Sequence, residues 1–209
     1  VHFESHQMFR EGSFDRGVAP MYGTSREFGD ISLHHLSSVL RFLMKAQTGH
    51  EEKITRVVVS SLGAEPLSGD FSIAVSQDGL LTGEITGQPG CASSVVLDCG
   101  EGVGLSSARE SAFYLCVPYG TYSKGFKAEF VDEASESMTL YFMTDSGGAA
   151  LKAGSVREFP VKEFKAEEKV FIIADEKDLR DFAACAASCN KAILCSDINV
   201  TGKWIPITK

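Results

Sequence analysis

From Ile54 onward, apolar and polar positions alternate. A period of two puts successive side chains on opposite faces of an extended strand. Ile54–Ser60 is rich in Val and Thr, and Asp70–Val75 sets Phe71, Ile73 and Val75 against polar neighbours. Gly125–Val131 alternates on Phe126, Ala128 and Phe130, and Met138–Met143 on Met138, Leu140 and Phe142. Ser94–Leu97 and Ala112–Val117 are apolar runs, the second stopped by Pro118 and Gly120. Gln77-Asp78-Gly79 is a hairpin signal with Leu80–Thr86 as its return strand. His34–Leu43 fits neither the helical nor the strand period well and reads as strand because of the clear strands after it. Residues 1–30, punctuated by Gly12, Gly17, Gly23 and Gly29, read as short extended pieces and turns. Short strands bounded by Gly, Pro, Asp or Ser predict an all-β, antiparallel sandwich or barrel. Residues 1–160 are expected to form two packed sheets nearly free of helix. Val57, Phe71, Ile73, Phe113, Leu115, Phe126, Phe130, Leu140 and Phe142 are expected to point inward.

The character changes towards the C-terminus. Ser155–Lys169 is charged and contains Pro160, which suits an edge strand and linker; Val170–Ile173 is a short β run. Asp175 can cap a helix from Glu176 to about Ser188, with acidic residues in its first turn. Leu179, Phe182, Ala183, Ala186 and Cys189 form its apolar stripe, and Ala192–Leu194 leads into a last β segment. The predicted layout is a sandwich over 1–165, then a linker, cap helix and β segment over 166–209.

Composition narrows the function. With 209 residues, 44% hydrophobic and 23% charged, the chain can bury a sizeable core without metal or disulfide. A formal net charge of −8 and the lack of a Lys/Arg cluster argue against nucleic-acid binding. No apolar run approaches the ~20 residues of a membrane-spanning helix. The six cysteines (Cys91, Cys99, Cys116, Cys185, Cys189 and Cys195) contain no C-x-x-C pair, which removes zinc ribbons and thioredoxin-like sites. Cys91 and Cys99 flank a short run and can pair; mostly free, buried thiols are expected. Gly100-Glu-Gly-Val-Gly104 resembles a phosphate loop only superficially and reads as a tight turn. All five histidines (His2, His6, His34, His35 and His50) fall in the first 50 residues, and adjacent His34 and His35 point to opposite faces of a strand. Asp98, Glu101 and Glu110 read as a solvated loop. Tyr114, Tyr119, Tyr122, Tyr141 and Trp204 are candidates for stacking on sugar, and Asn199-Val-Thr201 is a formal glycosylation sequon. No catalytic, cofactor-binding or metal-binding residue is predicted, no cofactor is expected, and the chain is expected not to be an enzyme.

A resemblance enters through blocks in fixed order. They are Gln7-Met-Phe-Arg-Glu-Gly-Ser-Phe14, Ala19-Pro-Met-Tyr22, Leu36-Ser-Ser-Val-Leu-Arg-Phe42, Ile54-Thr-Arg-Val-Val-Val-Ser-Ser61 and Pro66-Leu-Ser-Gly-Asp-Phe-Ser-Ile73. Ser94-Val-Val-Leu-Asp-Cys99, Gly102-Val-Gly-Leu-Ser106, Phe113-Tyr-Leu-Cys-Val-Pro-Tyr-Gly120 and Tyr122-Ser-Lys-Gly-Phe126 continue it. Over about residues 3–145 the chain resembles the fimbrillin-like, type V pilin-related surface proteins of Gram-negative gut and oral anaerobes. The resemblance implies a transthyretin-like, Greek-key sandwich and transfers no catalytic residue. It implies export to the cell surface or outer membrane, a lipoprotein precursor, and partners that are other surface or fimbrial subunits, host molecules or glycans. Subunits of such proteins join by strand addition, so self-association through exposed strand edges is expected. Asp178-Leu-Arg-Asp-Phe-Ala183, Ile193-Leu-Cys-Ser-Asp-Ile-Asn-Val200 and Trp204-Ile-Pro-Ile207 are similar to the cap and first rung of right-handed parallel β-helix surface proteins. The expected function is a non-enzymatic structural or adhesive module presenting a downstream domain. The alternative is a carbohydrate-binding or accessory module of a polysaccharide-processing β-helix protein. The chain is expected to be a fragment lacking its signal sequence.

Overall fold

The structure is a computed structural model that describes residues 1–25, 30–76, 82, 85–144, 148–166, 170–173, 175–185, 191–194 and 198–203. In chain order the elements begin with β1 (His2–Phe3), β2 (His6–Met8), β3 (Met21–Thr24), β4 (Ser32–His35), β5 (Ser37–Lys45) and β6 (Lys53–Ser61). Then come β7 (Gly69–Ser72), β8 (Thr86–Gly87), β9 (Ser94–Gly104), β10 (Ser111–Pro118), β11 (Gly120–Tyr122), β12 (Gly125–Asp132) and β13 (Ser137–Met143). The last are β14 (Ala149–Leu151), β15 (Val156–Glu158), β16 (Lys162–Glu163), β17 (Val170–Ile173), α1 (Glu176–Cys185) and β18 (Lys191–Leu194).

Two sheets carry the fold. One runs β13-β12-β6-β9-β2; the other runs β10-β5-β15, with β16 also on β5. Their ladders are antiparallel in the middle. At the margins β2 runs parallel to β9, and β15 and β16 run parallel to β5. The sheets share one core, in which Leu40, Phe42, Phe113 and Leu115 of one meet Val57, Val59, Leu97, Phe126 and Phe130 of the other. Phe42 sits at its centre, stacked on Phe159 at 4.5 Å and edge-on to Phe130 at 5.9 Å. All nine residues expected inward are buried or packed on a core: Leu140 and Phe142 lie partly buried against the main cluster, and Ile73 against a smaller one built on Phe3, Leu36 and Phe71.

β5 shows why His34–Leu43 fits no period. Leu40, Phe42 and Met44 face the shared core, while Val39 on the opposite face is covered by Val18, with Phe14 and Ala19 packed alongside. A strand buried on both faces loses the apolar–polar alternation. Gly125 opens β12 at φ 86°, and a Cβ there would run into the Phe142 carbonyl, so both backbone and space demand glycine.

Several expectations need correction. Residues 155–166 do supply the expected edge, with β15 and β16 paired on the outer side of β5, but they are more than a linker beyond it, because Phe159 and Phe164 are buried in the main core. The strand expected over Asp70–Val75 ends at Ser72, and the hairpin at 77–79 lies outside the described residues. Gly100–Gly104 is not a free turn: it is the second half of β9, where Thr55 alone stands opposite Cys99–Gly102 in a large bulge. Towards the C-terminus, β17 and β18 pair in parallel across α1, a β-α-β arrangement not read from the sequence. Asp175 caps α1 as expected, its carboxylate accepting the Asp178 amide at 2.8 Å. Trp204, Ile207, Cys189 and Cys195 lie outside the described residues.

Candidate functional site

Strand β10 forms one margin of its sheet, and the hydrogen-bond parity of its ladder fixes which groups face outward. Tyr119 donates its amide to Leu36 O, and Val39 donates its amide away from β10 to Ser155 O. In the register that pairs Cys116 with Val39, the even residues Ala112, Tyr114 and Cys116 therefore turn their N–H and C=O groups off the sheet. Gln7 closes one of these three positions. Its side-chain amide donates to Cys116 O at 2.7 Å and its oxygen accepts the Cys116 amide at 2.9 Å, so one buried side chain stands in for a strand residue. Gln7 is held there because β2 lies against β9 on the opposite sheet and points it across the gap. One position further along, Pro118 has no N–H to offer.

Ala112 and Tyr114 have no hydrogen-bond partner for these outward groups among the described residues. They border a groove of about 520 Å³ whose walls include Phe9, Gly12, Cys99 and Val103. The groove exists because β2 ends at Met8, where the β9 bulge begins; the last bond between them is from the Phe9 amide to Asp98 O at 2.8 Å. Beyond it, β9 and β10 diverge as members of different sheets, tied by a bond from Ser111 Oγ to Gly104 O. The lining is mixed: apolar Phe9, Cys99 and Val103 share it with Glu11 and Glu110 and with Arg41 and Arg109. Arg41 lies over the Tyr114 ring at 5.6 Å and pairs with Glu158 on its other side, which fixes the ring against the sheet.

The groups singled out from the sequence are scattered. Cys91, Cys99 and Cys116 are free thiols. Burial, helped by the nearby Asp98 charge, pushes the Cys99 thiol up to about 12; burial, helped by Asp15, does the same to Cys116. Among the described residues no three metal-ligating side chains converge. His2 pairs with Asp70 at 2.8 Å, and His34 stacks on Tyr22 at 5.2 Å. Asp98 is used locally, accepting the Gly100 amide at 2.8 Å within the bulge. Of the tyrosines, Tyr122 is buried and donates its hydroxyl to Pro118 O at 2.8 Å, Tyr119 packs on the smaller core, and Tyr114 lines the groove. Tyr141 is exposed on β13. Thr201 of the sequon bonds the Glu176 carboxylate through its hydroxyl at 2.7 Å.

No protein-family model and no curated protein matches the chain.

The residue that shapes the site, Gln7, opens the first block of the resemblance, but nothing in the sequence marked it as the partner of a strand edge. Its role depends on a contact 109 positions away in the chain.

Proposed function

We propose that this chain is a non-enzymatic structural or adhesive module of a cell-surface assembly, exported and displayed at the outer membrane. It joins a neighbouring subunit by strand addition along β10. The observation that carries the reading is the pair of unpaired backbone positions, Ala112 and Tyr114, beside a groove that offers Phe9, Cys99 and Val103 as apolar surface, while Gln7 closes the next position of the same edge. An extended segment entering there gains main-chain bonds from the two residues and seats alternate side chains against Phe9, Cys99 and Val103. Such a join needs only backbone groups and apolar surface, and fits a chain without any recognised catalytic motif. The sandwich over 1–165 then serves as a stalk for residues 166–209 and whatever they lead into.

The test uses the full-length protein in its own cell. A photo-crosslinking residue at position 112 is expected to capture an extended segment of another subunit. Ala112→Pro removes an N–H that faces the groove and leaves the β5 ladder intact, so thermal stability should hold while incorporation into the assembly is lost. Normal incorporation of a folded Ala112→Pro chain overturns the proposal.

A further inference from the structure

The other sheet also has an open margin, of a different kind. Leu62 donates its amide to Gly125 O, so the odd residues of β12 bond to β6 and the even ones to β13. In the β12–β13 register, which opposes Phe126 with Phe142, the odd residues of β13 then turn their backbone groups outward. These are Ser137, Thr139, Tyr141 and Met143, and among the described residues no segment pairs with them.

The other margins of the two sheets are short, charged or partly closed. β2 is three residues long, β15 and β16 carry Arg157, Glu158, Lys162 and Glu163, and β10 is partly closed by Gln7. Short edges and charges are how sheets avoid pairing with other chains. β13 has neither device. Its seven residues, Ser-Met-Thr-Leu-Tyr-Phe-Met, contain no charge, proline or glycine, and leave Tyr141 61% and Met143 76% exposed.

We infer that β13 pairs antiparallel with β13 of a second copy of this chain about a two-fold axis at Leu140. The two five-stranded sheets become one sheet of ten strands (5 + 5). This inference stands apart from strand addition at β10 and uses the opposite sheet. The Leu140-centred register is the one that pairs all seven residues. It sets Thr139 opposite Tyr141 and Ser137 opposite Met143, each an outward odd residue facing an outward odd residue. Directly opposed residues share a face, so buried Met138 and half-buried Leu140 and Phe142 remain on the core side and the exposed Tyr141 and Met143 gain cross-strand neighbours. A second copy fits because an isologous contact sets each strand against itself, and this strand places no like charges in opposition. Edge pairing alone is smaller than a standard interface of ~1,600 Å², so the dimer forms in a concentration-dependent way.

Sedimentation velocity and amide hydrogen exchange on the full chain test it. The sedimentation coefficient should rise with concentration towards that of a dimer. It should rise further with added salt, because screening weakens repulsion between copies of formal charge −8 while the paired strands carry none. Exchange at the Thr139 and Tyr141 amides should slow at least several-fold with concentration, while Leu140 and Phe142, already bonded to β12, stay unchanged. Tyr141→Lys, at an exposed site, should keep the fold by circular dichroism and remain monomeric; Val156→Lys on the other sheet should still dimerise. A monomer at millimolar protein, a dimer that survives Tyr141→Lys, or concentration-independent exchange at Thr139 and Tyr141 overturns the inference. Loss of the β13 dimer leaves β10 crosslinking untouched, and the reverse, so the two proposals fail separately.

Discussion

Replacing Gln7 by Leu measures how firmly the β10 edge is closed at Cys116. Gln7 is 1% exposed and makes two bonds, at 2.7 and 2.9 Å, to the Cys116 carbonyl and amide. Leucine keeps much of the volume but leaves both backbone groups buried and unpaired. Each such group costs ~1–3 kcal/mol, and removing the buried glutamine amide itself returns part of that, for a net loss of ~2–4 kcal/mol. In urea, with a mid-range slope of ~2 kcal/mol per molar, the unfolding midpoint should fall by ~1–2 M. Gln7→Glu is the sharper version, because its carboxylate can accept from the Cys116 amide but can donate to the Cys116 carbonyl only when protonated. Burial and that donation raise its folded pKa above the unfolded value near ~4.3. The stabilisation is therefore fully present below that unfolded value and lost as pH rises through the folded one. If Gln7→Leu costs under ~0.5 kcal/mol, as an ordinary surface change does, the idea that a side chain completes this ladder is wrong.

The Glu65 carboxylate predicts the opposite pH dependence. Partial burial would raise its pKa, but bonds from Ser123 (amide at 2.7 Å, hydroxyl at 2.5 Å) and Ser61 outweigh this and hold it down to about 2. Its contribution is present above the normal carboxylate value and lost as pH falls towards 2. Ser123→Ala should lower stability by ~1–2 kcal/mol at pH 7, discounted for partial exposure, with the gap closing in acid melts. Cys99 and Cys116, buried and with thiols pushed up to about 12, should resist iodoacetamide in the native protein and react on unfolding; rapid native labelling of either counts against their burial.

The elements that alternate cleanly were readable in the sequence. β6, β12 and β13 each bury one face, so Val57, Phe126, Phe130 and Leu140 announced the core by period alone. β5 hid its period because it is covered on both sides, by the shared core and by the Phe14–Ala19 segment. Strand direction was invisible as well. Parallel pairing of β15 and β16 with β5 depends on where the chain returns, and the charges of Val156–Glu163 marked only an edge. The open margin of β10 could not be read at all, since which amides face outward follows from register, and the plug at Cys116 comes from a residue at the far end of the sandwich sequence.

The run Gly100-Glu-Gly-Val-Gly104 links local backbone preference to the open edge. Taken by itself it is only a cluster of turn formers, yet it sits inside a strand. Gly100 at φ 58° and Gly102 at φ 98° adopt left-handed backbone that β-branched residues rarely take, and the Asp98 carboxylate braces the first of them. The four residues Cys99–Gly102 opposite Thr55 bend β9, and β2, which runs beside β9 in parallel only through Asp98, has no straight edge to continue along. Were the bulge absent, β2 could extend beside β9 and the residues after it would fill the space next to Ala112 and Tyr114. The bulge thus ends one strand pairing, and by ending it leaves the neighbouring sheet with an edge still to be paired. Replacing Gly102 by Val forces a β-branched side chain into φ 98° with Lys53 Cβ 3.0 Å from its own Cβ, so it should destabilise the bulge and reshape the groove together. A Gly102→Val chain with wild-type stability and an unchanged capture pattern from position 112 would separate the bulge from the groove and give the open edge of β10 another origin.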